Sequence, residues 1–164
     1  MVEELLCLQL GVSTDDTLSN TLYLLWAYLI VAFGDIPAMS LLMRMKGHNA
    51  LTSCRMCTIC GVRGPLGGSK VLYVPLECSG LGDVAGESYN PAALPLRSHE
   101  DFLANTREID VAPTEAQAER LRKLYGIKGI PLLSSISSLS FPRSFSYGFM
   151  HLIWENSILN LVSL

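Results

Sequence analysis

Tyr28 to Cys60 reads YLIVAFGDIPAMSLLMRMKGHNALTSCRMCTIC, and the order of its parts decides how the rest of the chain is read. An apolar run ends on one acid, Asp35. Pro37 then opens a helix pattern, because its missing N–H costs nothing in a first helical turn. Gly47 supplies a C-terminal stop, so the spacing predicts a helix to about Lys46. His48 and Asn49 follow, then cysteines at 54, 57 and 60. The β-branched and aromatic run Tyr28–Phe33 predicts a buried central strand that ends at Gly34-Asp35. A strand, an acid at its carboxyl end and a departing helix form a common arrangement for a catalytic carboxylate. On local pattern alone, the commoner role for Asp35 is to cap the helix.

Cys54-x-x-Cys57 has the spacing of half a tetrahedral zinc site, since two intervening residues let both thiolates reach one ion. Cys60 and His48 are near enough to add ligands, and His99 and His151 could fold back from afar. The competing reading is a pair of buried free thiols. Cys7 and Cys78 stand alone and are assigned to packing. No signal-peptide pattern opens the chain, because MVEELL carries acids where a basic region belongs. The cysteines are therefore expected to be reduced and the protein nuclear or cytoplasmic, not secreted.

Hydrophobic residues make up 49% of the 164 residues and charged residues only 16%, against the roughly 25% usual for soluble domains. Mean hydropathy is +0.33. Such a balance suits either a membrane protein or a fragment whose apolar faces pack on other chain segments. Residues 21–34, TLYLLWAYLIVAFG, are apolar for 14 positions, short of the 18 or more of a spanning helix. Extending the run takes in Asp35 and Pro37, and an acid in mid-bilayer costs at least ~2.5 kcal/mol. No membrane association is favoured. The net charge of −3 gives no basic footprint for nucleic acid, although a channel can be locally basic.

The remaining chain divides by composition. Residues 1–20 form a short apolar segment and a polar loop at STDD, without a defined core role. Residues 61–97 are rich in Gly and Pro and read as an irregular insert, with Val71 to Leu76 a short strand. GGSK lacks the spacing of a phosphate loop. Ser98 caps a helix from His99 to about Ile109, and Thr114 with Gln117 opens another through Tyr125 that Gly126 stops. Arg120, Arg122 and Lys123 on that helix could touch phosphate, although a solvated face is the commoner role. Residues 130–148 are a Ser/Pro connector, and FMHLIWENSILNLVSL is an amphipathic helix that runs to Leu164 without a stop signal. His151, Trp154 and Glu155 share one face of it.

FGDIPAMSLLMRMKGHNALTSCRMCTICG, LPLRSHEDFLA, AERLRKLYGIKGIPLL and SLSFPRSFSYGFMHLIWEN, kept in that order over roughly residues 20–164, closely resemble CACTA (En/Spm)-class DNA transposases of the fungal type. The resemblance implies an α/β fold: a fragment of a ribonuclease-H-like catalytic core, with an irregular insert containing a zinc knuckle. On this division residues 21–47 carry the core strand and Asp35, 48–97 the CxxC insert, and 98–164 the truncated helical part. It also implies cutting of DNA at transposon ends by acids that hold two Mg2+ or Mn2+ ions, and joining of those ends to a target. Asp35 matches the second acid of the triad. Cys54 and Cys57 match the family's CxxC, and His151 a histidine that completes the structural zinc site, with His48 and Cys60 as weaker candidates.

Two departures follow. The first acid belongs on a strand well upstream, which this chain is expected to start too late to contain; Asp15 and Asp16 are the nearest carboxylates but read as a loop close to the second acid, and relatives carry an acid at the position of Gly148. Glu155 is the nearest carboxylate left for the third role. The expectation is a partial cut-and-paste enzyme that is inactive alone and able to form homo-oligomers. The alternatives are a non-catalytic zinc-stabilised module for DNA or protein, and a small membrane protein.

Overall fold

The computed structural model describes residues 2–47, 50–63, 72–73, 88–148 and 158. Among them lie four α-helices and three two-stranded pairings, a mixed α/β domain rather than one continuous sheet. Helix α1 spans Val2–Leu10 and strand β1 Val12–Asp16. Strand β2, Thr21–Leu25, returns antiparallel to β1 in the register Val12↔Leu25 to Asp16↔Thr21. The turn between them is built by Asp16, whose carboxylate accepts from the Leu18 N–H at 3.0 Å and the Ser19 hydroxyl at 2.5 Å. Those bonds hold the Asp16 carboxyl below its ordinary range. Residues 1–20, expected to be a segment ending in a polar loop, are therefore a helix and a strand from Val2 to Asp16, with STDD inside the strand. Cys7, expected to pack, is exposed on α1.

The central strand expected at Tyr28–Phe33 shrinks to β3, Ala32–Gly34. Residues 26–31 take no ladder. Their backbone groups are used elsewhere: the Ala27 N–H donates to the Leu8 carbonyl at 3.1 Å, and the Leu29 carbonyl accepts from the Ser138 hydroxyl at 2.7 Å. Burial fails as well, with Phe33 75% exposed. What survives is the position of β3 against strand β6, Phe145–Tyr147, in parallel register from Ala32↔Phe145 to Gly34↔Tyr147.

Helix α2, Ile36–Leu42, starts where Asp35 and Pro37 predict it but ends before Lys46. Arg44 adopts φ 52°, and Met45 leaves the helix to bridge Ile127. That exit drives Met45 into the core beside Met39 and Met43. Strands β4 (Val62–Arg63) and β5 (Leu72–Tyr73) pair antiparallel inside the insert; β5 falls within the short strand expected at Val71 to Leu76, and β4 is not among the expected strands.

Helix α3, His99–Asp110, is capped by Ser98, whose hydroxyl accepts from the Asp101 N–H at 3.0 Å. Helix α4, Glu115–Tyr125, is capped by Thr114 in the same way and stopped by Gly126 at φ 72°. A 3-10 helix, Leu132–Ser135, opens the connector to β6. The core collects Met43, Phe102, Ile127, Leu139, Phe141 and Phe145 with their neighbours. Phe141 stacks on Phe102 at 5.1 Å and on Phe145 at 4.6 Å, and each such pair contributes about 1 kcal/mol beyond area burial. Phe145 carries β6, so this stack sets the height of β3 and thereby of Asp35. No helix among the described residues is long and apolar enough to cross a membrane.

Two glycines with left-handed backbones separate conformational cost from crowding. A Cβ on Gly126 would lie 2.0 Å from the Thr52 carbonyl oxygen, whereas one on Gly47 (φ 75°) meets nothing within 4 Å. Gly47→Ala should cost about 1 kcal/mol from φ alone, and Gly126→Ala more than about 3 kcal/mol from φ plus a backbone clash. Urea unfolding of the two variants checks the difference.

Candidate functional site

Three groups of residues carry the chemistry the sequence singles out, and the C-terminus of α4 positions the first of them. The last carbonyls of a helix lack partners within it. In α4, Lys46, Leu51, Thr52 and Arg97 supply them. The Leu51 N–H donates to the Lys123 carbonyl (2.9 Å), the Thr52 hydroxyl to Leu124 (2.6 Å), Arg97 Nη2 to Tyr125 (2.9 Å) and the Lys46 N–H to Gly126 (2.8 Å). Arg97 is 6% exposed and reaches further, with Nη2 also donating to the Thr52 carbonyl (2.9 Å) and Nε to the Cys54 carbonyl (3.0 Å). Its positive charge sits where the helix dipole is negative. Burial pulls its pKa down from the ordinary value, while the Cys54 and Cys57 thiols beside it act the other way.

The cysteine loop is thus held from both sides. Thr58 N–H donates to the Pro95 carbonyl at 2.8 Å, Arg97 N–H to Met56 at 2.9 Å, and Cys57 bridges Leu96. The Cys54 and Cys57 side chains come within hydrogen-bonding reach of each other. Burial pushes the Cys57 thiol up to about 11, the Cys54 hydrogen bond adds to the rise, and Arg97 opposes it. The Cys57 thiol in that state is protonated; a bound cation would have to displace its proton. Cys60 is half-buried, with its N–H donating to the Tyr89 hydroxyl at 3.1 Å and its thiol facing the Gly61 carbonyl at 3.8 Å. Among the described residues, no group of three or more His, Cys, Asp or Glu is gathered to hold an ion. The pair supplies two ligands of the four a zinc knuckle needs. His48, His151 and Glu155 lie outside the described residues. His99 is otherwise engaged: its Nδ1 accepts from the Phe141 N–H at 2.9 Å and its ring stacks on Phe141.

Asp35 stands at the carboxyl end of β3 and caps α2, with Oδ1 accepting from the Ala38 N–H at 2.6 Å. The capping role and the strand-end position therefore coexist in one side chain. The parallel partner strand ends beside it, because the Gly148 N–H donates to the Gly34 carbonyl at 2.8 Å. Gly148 and Asp35 thus lie at the carboxyl ends of two adjacent parallel strands. Asp15 and Asp16 lie in the β1–β2 hairpin, separate from the β3–β6 pair.

The cations of α4 divide in two. Arg122 turns to Glu115 and Glu119 and is not a free phosphate ligand. Arg120 and Lys123 line an open cleft of about 810 Å3 with Leu51, Leu121 and Leu124. A second, polar cleft of about 210 Å3 sets Arg44, Arg122 and Lys128 beside Asp110 and Glu115, so its charges largely cancel.

Arg97 is the residue that sequence reading misses. It lies in LPLRSHE, one position before a helix cap, and resembles an ordinary surface cation there. The only signal available was its place immediately before a helix whose cap was recognised. No known family model matches this chain, and neither the curated proteins nor the solved structures compared with it include a similar one.

Two outcomes test this arrangement. Arg97→Lys leaves half-buried carbonyls without their donor and should cost about 2 kcal/mol in denaturant unfolding, more than an exposed Arg→Lys change. Asp35→Ala should cost about 1 kcal/mol through loss of the cap, and Asp35→Asn close to nothing, since Asn caps as well as Asp.

Proposed function

We propose that this chain is part of the catalytic core of a cut-and-paste DNA transposase, with an incomplete acid set and a structural zinc site begun by Cys54 and Cys57. The observation that supports it is the placing of Asp35 at the carboxyl end of β3, next to the parallel strand that ends at Gly148. Ligand and catalytic groups in parallel α/β arrangements gather at the carboxyl ends of adjacent strands.

Phosphodiester cleavage by two divalent ions requires carboxylates that converge to hold them about 4 Å apart. Mg2+ or Mn2+, when bound, would activate the attacking oxygen and stabilise the leaving one. Asp35 offers one carboxylate at this strand end, and the adjacent position offers a glycine. Glycine donates no ligand, so the site as it stands binds metal weakly and does not cleave. Arg120 and Lys123 are the cations free to meet a phosphate backbone along α4. Zinc would be held by the thiolates of Cys54 and Cys57 and by two further ligands, for which His48, Cys60 and His151 are the candidates. Its role would be to fix the loop that Arg97 already holds to α4.

A second reading keeps the zinc and drops the catalysis: a zinc-stabilised module for DNA or protein binding. It is favoured by the use of the Asp35 carboxylate as a helix cap.

Elemental analysis and Mn2+ titration separate the two readings. The first expects one zinc per chain, lost in Cys54→Ser. It also expects weak Mn2+ binding that Gly148→Asp tightens at least tenfold and that Asp35→Asn, added to Gly148→Asp, removes. Zinc retained with Mn2+ binding indifferent to both changes supports the module reading. Absence of zinc overturns the knuckle in either case.

A further inference from the structure

The buried charge of Arg97 has no carboxylate to answer it among the described residues. The ion pairs there join Lys46 to Glu119 and Arg122 to Glu115 and Glu119, and Arg97 enters none of them. Three carbonyls accept its hydrogen bonds, but they are neutral dipoles and leave a whole positive charge out of water. A charge so placed is costly unless an anion lies beside it. The groups that do lie beside it are the Cys54 and Cys57 thiols. Backbone contacts fix that neighbourhood. Arg97 Nε donates to the Cys54 carbonyl at 3.0 Å, and Cys57 bridges Leu96, the residue before Arg97. The two sulfurs stand within hydrogen-bonding reach of each other, Cys57 buried and Cys54 half-buried. A protonated thiol offers Arg97 no charge. Two thiolates on a divalent ion make a neutral group, whereas two thiolates on a monovalent ion keep one negative charge, which matches the guanidinium. Thiolate is a soft ligand, and Cu(I) is the soft monovalent ion that it selects.

We propose that Cys54 and Cys57 form a two-thiolate site for one Cu(I) ion, with Arg97 as the counter-charge of the complex. Loading replaces two S–H bonds by two S–Cu bonds and releases two protons to solvent. The half-buried Cys54 gives the ion its way in, and the burial of Cys57 shields the bound metal from water. Two thiolates suffice for such an ion, so the site needs no ligand from another segment. It does not rest on the carboxylate reading. It competes with zinc for the same thiols, and the two metals are therefore set against each other in the test.

The full chain is titrated with Cu(I) alone, under argon, in about 1 mM dithiothreitol, a small dithiol that competes for soft metals. One Cu(I) per chain should survive desalting, with new ultraviolet absorption from thiolate to metal. Cys54→Ser should weaken retention at least about tenfold across a dithiothreitol series. Cys7→Ser, exposed on α1, should leave it unchanged. Arg97→Lys and Arg97→Gln both lose the guanidinium fork, but only the second loses the charge. Retention should therefore fall further in Arg97→Gln than in Arg97→Lys, a difference that a shared loss of packing would not produce. Cu(I) left with dithiothreitol overturns the inference, as does indifference to Cys54→Ser or equal retention in the two Arg97 variants. A zinc ion that purifies with the chain and resists Cu(I) also overturns it, and leaves the zinc knuckle standing. Uptake of one Cu(I) by a chain that purifies without zinc supports it and removes the knuckle.

Discussion

Arg97 and the carbonyl end of α4 are the joint on which the cysteine loop depends. One buried guanidinium ties the carbonyls of Thr52, Cys54 and Tyr125 together. Each of those acceptors would otherwise be a polar group in a poorly hydrated place, and a half-satisfied set would be worse than none. Leu51, Thr52 and Lys46 complete the same joint by donating to Lys123, Leu124 and Gly126. The cysteine loop thus owes its position to a helix terminus roughly seventy residues away, and Gly126 is required there because any Cβ would enter the Thr52 carbonyl.

Asp35 depends on a different contact set. The aromatic stack of Phe102, Phe141 and Phe145 anchors β6, β6 pairs β3, and β3 ends at the acid. The α3 side of that chain is reinforced by the Phe141 N–H bond to His99 and by the Tyr125 hydroxyl, which donates to Glu108 at 2.7 Å and ties α4 to α3. The thiol pair and the carboxylate therefore share a scaffold, α3 with α4.

The parts of this scaffold that sequence could disclose are those governed by local chemistry. Ser98, Thr114 and Gly126 mark helix ends by capping rules that hold regardless of tertiary context, and α3 and α4 fall where those residues put them. Asp35 before Pro37 is a helix start by the same logic. Where long-range contacts compete, local pattern misleads. Tyr28–Phe33 has the composition of a buried strand, but its Leu29 carbonyl is drawn off by Ser138, and the Ala27 N–H just before it by Leu8. α2 stops early because Met45 is captured by Ile127, a partner far along the chain. Arg97 is invisible for the same reason, since all three carbonyls it binds are distant in sequence. The Cys54-x-x-Cys57 spacing did place two thiols side by side, and spacing alone could say nothing of the buried cation beside them.

The joint at α4 also dictates an order of events in folding. The bonds that shape the cysteine loop span from about 28 to 73 residues of chain, and closing loops of that size is slow compared with forming the local turns of α3 or α4. During synthesis the cysteines emerge well before Tyr125 and Gly126. Until those carbonyls exist, Arg97 has an incomplete set of acceptors and the two thiols have no fixed neighbourhood. The nascent protein therefore passes through an interval in which Cys57 is solvent-facing. The burial of Cys57 comes only when the far end of α4 has been made.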